Sequence, residues 1–164
     1  MPEPIDLRAN GDATASIWIS PAAITAMLEA SVAAGRRETG GILIGRYSSE
    51  GWFADVVEAT PKPKGSRSGW FWFQRSNFGL SDLLEERWHD GLYYLGEWHF
   101  HPGGAPTPSS PDIRAMRKVA GDEAYHCPDP ILVILSGKPK SDWYFSATLF
   151  RNGQVVNMKQ YPLE

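Results

Sequence analysis

The sequence predicts an α/β fold, one mixed sheet covered by helices, in a single domain of 164 residues. Strand-like and helix-like segments alternate along the chain, the pattern of a layered α/β arrangement. The 16 glycines and 13 prolines imply many short elements joined by shaped turns. The 7 Trp, 6 Tyr and 7 Phe offer enough aromatic area to fill a small core.

The elements follow in order. Residues 1–14 carry two early prolines and no sustained apolar period, so poor order is expected there. Ala15 to Ile19 reads as a short strand. Pro21 to Ala34 reads as a helix: Ser20 is a natural N-cap, Pro21 fits the first turn, and Gly35 fits the position just past the end. Ile24, Met27, Leu28 and Ser31 share one face of it. Glu38 to Tyr47 has an apolar centre too short for a helix and bounded by glycines, which indicates a buried strand. Trp52 to Thr60 returns beside it as a hairpin. Pro61 to Gly69 is the most loop-like stretch and holds Lys62, Lys64 and Arg67, with Arg75 just beyond. It is either a solvated loop or a flap over a substrate. Trp70 to Phe73 reads as a short strand or packing cluster, and Asn77 to Asp90 as a helix with Phe78, Leu80, Leu83, Leu84 and Trp88 inward. Leu92 to His101 is strand-like, Pro102 to Pro108 extended, and Pro111 to Gly121 helical. Ile131 to Leu135 is a continuous apolar run, expected at the centre of the sheet. Asn152-Gly153 joins two final strands, Trp143 to Phe150 and Gln154 to Gln160.

Composition excludes several classes. With 16 basic against 19 acidic residues, the net charge is −3, unlike the basic footprint of a nucleic-acid binder. No apolar run reaches the length of a membrane span. The N-terminus lacks the apolar core of a signal peptide. One cysteine, Cys127, rules out an internal disulfide framework. These features fit a soluble cytoplasmic protein.

The chemistry concentrates in Gly96-Glu97-Trp98-His99-Phe100-His101-Pro102 and the segment after it. Residues two apart on a strand share a face, so His99 and His101 point the same way and Trp98 and Phe100 the other. Asp112 follows at the start of a helix, where Ser109 or Ser110 is the cap and the helix dipole favours an ionised carboxylate. Two imidazoles and one carboxylate make a zinc site with its fourth position open, the arrangement of a catalytic ion. Glu38, at the edge of the glycine-rich strand, is the candidate proton carrier. Ser109 is placed to donate to an oxyanion. Each residue alone has an ordinary structural reading; the joint pattern is far more specific.

That pattern, an upstream Glu38, then His99-x-His101-Pro102 and Ser109-x-x-Asp112, resembles the JAMM motif of the JAB/MPN metallopeptidases. The resemblance implies a single MPN-type domain with a mixed, mostly antiparallel sheet flanked by about three helices. It implies Zn2+ on His99, His101 and Asp112, Glu38 as the acid and base, and Ser109 at the oxyanion. It spans roughly Ser16 to Phe150. Phe100 departs from the Ser or Thr common between the two histidines, and altered packing is the expected effect. Glu-Thr-Gly-Gly and Gly-Glu-Trp-His look like the stand-alone bacterial members, some encoded beside ubiquitin-like activating and conjugating enzymes in anti-phage (CBASS) operons. By resemblance the substrate is a ubiquitin-like tail or a conjugated protein, cut at the amide after the tail, and the operon-encoded enzymes are further partners. Such a tail is expected to add to an exposed sheet edge, with the 61–69 and 102–108 loops as walls. Two alternatives stand beside this reading. One is a zinc peptidase that trims a small sulfur-carrier protein, and the other a non-catalytic binding scaffold.

Other residues carry structural readings. His126-Cys127 lies among prolines with no second thiol, and His89 sits late in a helix where a cation suits the dipole. Glu97 is expected to face away from the histidines.

Overall fold

The computed structural model describes residues 2–9, 15–48, 52–69, 73–138 and 142–161. Its strands are β1 (Ile5–Ala9), β2 (Ser16–Ile19), β3 (Thr39–Ser48), β4 (Phe53–Ala59), β5 (Arg67–Ser68), β6 (Phe73–Gln74), β7 (Tyr93–Pro102), β8 (Ile131–Gly137), β9 (Trp143–Arg151) and β10 (Gln154–Tyr161). The helices are α1 (Pro21–Ala34), α2 (Leu80–His89) and α3 (Ser110–Gly121), and Glu123–Tyr125 adds a single 3-10 turn. Eight strands close into a barrel in the order β1, β10, β9, β8, β7, β3, β4, β2. Neighbours are antiparallel except for β2 with β4 and β7 with β8. β5 and β6 form a separate hairpin.

α1 is fixed at both ends by the residues that marked it in the sequence. Ser20 Oγ accepts from the Ala23 N–H at 3.1 Å. Gly35 takes φ 66° and its N–H reaches the carbonyls of Ser31 and Val32. The inner face of α1 packs Ile24 and Met27 into the main core with Leu7, Ile17, Leu43, Val56, Trp98 and Val133. The opposite face of the sheet is covered by α2 and α3. Ile42 and Ile44 meet Leu80 and Val119 there, and Leu132 and Ile134 meet Met116. β8 is therefore buried on both faces, as a central strand must be. Each of its large side chains contributes roughly 1.5–3 kcal/mol of burial.

Three expectations change and one is answered only in part. Ile5–Ala9 is an ordered strand, with Ile5, Leu7 and Ala9 buried and Asp6 and Arg8 turned outward; residues 10–14 lie outside the described set. α2 begins at Leu80 rather than Asn77, and Phe78 and Trp88 stay exposed, because only Leu80, Leu83 and Leu84 find a partner surface. Of the strand read over Trp70 to Phe73, Phe73 lies in β6 (Phe73–Gln74), and residues 70–72 lie outside the described set. The main sheet closes on itself, so among the described residues no whole barrel strand is an edge for a tail to join, although Thr39–Gly41 of β3 pair in register with β7 alone. The β5–β6 pair lies outside the barrel and keeps edges of its own.

Candidate metal centre and active site

Alternation along β7 sets the site. Trp98 and Phe100 are fully buried in the main core, and Trp98 Nε1 donates to the Thr60 carbonyl at 2.8 Å. Phe100 packs against Trp143, ring centroids 6.0 Å apart, so the departure at this position is absorbed by the core. Glu97, His99 and His101 take the other face. β3 runs beside them with Thr39 opposite Phe100 and Gly40 opposite His99, which brings Glu38 to the level of His101. Gly40 has to lack a side chain. A Cβ there would lie 2.3 Å from the Trp98 carbonyl oxygen and 2.9 Å from both His99 Cδ2 and Phe73 Cε1.

The third donor comes from a helix start. Ser109 caps α3, its Oγ accepting from the Asp112 N–H at 3.2 Å while Asp112 Oδ2 accepts from the Ser109 N–H at 2.8 Å. This capping box ties the Asp112 side chain to the first turn. The carboxylate bridges both imidazoles, with Oδ1 3.0 Å from His99 Nδ1 and Oδ2 3.3 Å from His101 Nε2. The other ring nitrogen of His101 lies 3.3 Å from the Ala105 carbonyl. Donor atoms of His99, His101 and Asp112 all fall within 4.8 Å of one another. Two imidazole nitrogens and one carboxylate oxygen in that span fit a divalent metal ion with a position left open.

Electrostatics agree with the grouping. Burial alone would raise the Asp112 carboxyl, but hydrogen bonding to His101 and His99 and to the Ser109 N–H outweighs it and holds the group well below the usual carboxylate range. Burial works against a charged His101, yet Asp112 and Glu38 raise its pKa. Burial pushes the Glu38 carboxyl above its ordinary value, the charge of Asp112 adds to the rise, and His101 and His99 oppose it. Glu38 thus senses all three candidate ligands. Ser109 Oγ already accepts a bond from the helix, and its own proton remains for donation outward.

The sequence-predicted residues Glu38, His99, His101, Ser109 and Asp112 are therefore brought together. Glu97 corrects an expectation: it lies on the histidine face, with Oε1 4.0 Å from His99 Nε2. Strand alternation carries that signal, since Glu97 and His99 are two residues apart. Phe73 was missed as a neighbour of the site; its ring meets His99 edge-on at 5.4 Å. A cleft of about 790 Å³ opens beside His99, lined in part by Phe73, Arg75, Glu97, Lys118 and Tyr125. Cys127 is buried, and burial pushes its thiol up to about 12, far from a reactive thiolate.

A family model for prokaryotic homologs of the JAB domain matches residues 20–148. The chain belongs to the prokaryotic JAB family. Among curated relatives, a CD-NTase/cGAS isopeptidase of Enterobacter hormaechei subsp. hoffmannii is 46% identical over 140 residues, covering 85% of this chain and 78% of the relative. The Sinorhizobium fredii protein named "Probable metalloprotease y4qB" is 28% identical over 134 residues, covering 76% and 78%. The solution structure of protein DSY2949 from Desulfitobacterium hafniense superposes with a TM-score of 0.64 at 20% identity, covering 85% of this chain and 87% of that one, and shares the fold. This JAB-family chain is a hydrolase. No helix among its described residues is long and apolar enough to cross a membrane.

Proposed function

We propose that this chain is a zinc isopeptidase that hydrolyses the amide following the C-terminal tail of a ubiquitin-like modifier, releasing the protein to which it is conjugated. The observation that carries the reading is the convergence of His99, His101 and Asp112 donor atoms within 4.8 Å, with Glu38 on the adjoining chain at the level of His101. The likeness to a CD-NTase/cGAS isopeptidase supports a conjugated protein as substrate.

His99, His101 and Asp112 would hold the zinc ion, which when bound polarises the scissile carbonyl and lowers the pKa of water. Glu38 takes the proton from the attacking water and delivers it to the leaving amine. Its raised pKa makes it a stronger base toward the attacking water than a free glutamate. Ser109 donates a hydrogen bond from its hydroxyl to the oxyanion of the tetrahedral intermediate. The Asp112–Ser109 reciprocal bonds keep ligand and donor at a fixed separation.

The test combines metal analysis with a panel of fusions carrying ubiquitin-like tails from the protein's own operon. Cleavage by zinc-loaded protein, its loss on chelation and its return with zinc are expected. Glu38→Gln is expected to keep its zinc and lose about 10²- to 10⁴-fold in kcat. Stoichiometric zinc with no cleavage of any tail would overturn the substrate class; absence of zinc binding would overturn the enzyme.

A further inference from the structure

The polar residues left over from this chemistry gather at one place. Arg75, just past the β5–β6 hairpin, reaches β7, where its Nε and Nη2 donate to the two oxygens of Glu97 at 2.8 and 3.2 Å. Nη2 also donates to the Tyr125 hydroxyl at 2.6 Å, and Nη1 donates to the Ser76 carbonyl at 3.1 Å and Asn77 Oδ1 at 2.8 Å. The Tyr94 hydroxyl donates to Glu97 Oε2 at 3.0 Å. Both charged side chains are only 8% exposed. A planar guanidinium paired two-on-two with a carboxylate fixes orientation as well as distance, which an ammonium cannot do.

What this pair anchors is short of its own support. β5 and β6 share two residue pairs, Arg67 with Gln74 and Ser68 with Phe73, too few for a hairpin to stand alone. Yet the hairpin touches both halves of the site. The Glu38 N–H donates to the Gly69 carbonyl at 2.8 Å, Arg37 Nη1 donates to the Ser68 carbonyl at 3.3 Å, and Phe73 lies edge-on to His99.

We propose that Arg75 is a positioning residue whose ion pair with Glu97 clamps the β5–β6 hairpin as a rigid wall of the cleft beside His99, so that the cleft is preformed for an extended peptide. The ligand class, a peptide tail, rests on the isopeptidase reading; the clamp itself does not. A wall fixed in advance removes the ordering cost that a loose hairpin would impose on binding. Arg75 makes no hydrogen bond to Glu38, His99, His101, Ser109 or Asp112, so its loss reaches substrate affinity before it reaches turnover.

The experiment uses the full chain and the double variant Arg75→Gln/Glu97→Gln, which avoids stranding either buried charge. Hydrogen exchange is followed without substrate. The Glu38 and Ser76 amides, which bond to Gly69 and to Ser66 Oγ, are expected to exchange about tenfold faster, while Leu132 to Leu135 amides stay unchanged. On a cleavable tail fusion, KM is expected to rise about tenfold and to carry the larger part of the loss in kcat/KM. Tyr125→Phe, which removes one bond to Arg75, is expected to move both readouts the same way by about threefold, and it decides the matter if the double variant fails to fold. Exchange equal to wild type, or a fall in kcat at constant KM, would overturn the clamp. Should wild-type protein cleave no tail, the isopeptidase reading falls and the exchange result alone judges the clamp.

Discussion

The two faces of β7 are made of interleaved residues and do opposite work. Trp98 and Phe100 disappear into the main core, whereas Glu97, His99 and His101 meet carboxylates, an arginine and a cleft. The apolar residues hold the strand in register, and that register aims the imidazoles, since a slip of one residue would exchange the faces. Folding and chemistry are thus specified by neighbours in sequence yet should respond separately to substitution.

The largest separation is expected from His101→Ala. Removing one donor of the three drops activity to the uncatalysed background and lowers metal stoichiometry, while the apolar face leaves the fold intact; metal analysis beside a thermal melt checks it. Trp98→Ala is the converse. It deletes a fully buried indole and its bond to Thr60 and should cost about 3–5 kcal/mol in denaturant unfolding, with site geometry lost only as the fold is lost. If His101→Ala unfolded the protein as well, the division of labour would be wrong. Ser109→Ala sharpens the picture where the two duties meet in one side chain. The lost cap should cost about 1 kcal/mol of stability. On the proposed mechanism, loss of its oxyanion hydrogen bond should lower kcat by about 10²-fold with the metal content unchanged, read from melts and from kinetics on the same sample. The smallest effect is in pH. Glu38 must be ionised to accept a proton, and its pKa is raised, so the acid limb of kcat/KM should lie above the ordinary glutamate value of 4.5 and disappear in Glu38→Gln.

Much of this was legible because local rules carried it. Ser20, Pro21 and Gly35 marked α1 to the residue, and the apolar run from Ile131 marked the strand with no solvent-facing side. His99, His101, Ser109 and Asp112 were readable because a strand period of two and a helix cap are short-range facts. Long-range pairing was not readable. Nothing local in Ile5–Ala9 says that it lies between β2 and β10, and without that strand the barrel does not close. The exposure of Phe78 and Trp88 has a similar origin, since periodicity says which residues share a helix face and not whether anything covers it. Arg75 and Glu97 stand 22 residues apart, with α2 between them, and no motif links them. Glu97 alone was recoverable from its even spacing to His99.

The reciprocal bonds between Ser109 and Asp112 make winding of the first turn of α3 and aiming of a metal donor one event. A nascent chain in which that turn is still open has nothing to hold the ion's third corner. The third corner of the candidate metal site is therefore complete only once α3 has begun to wind.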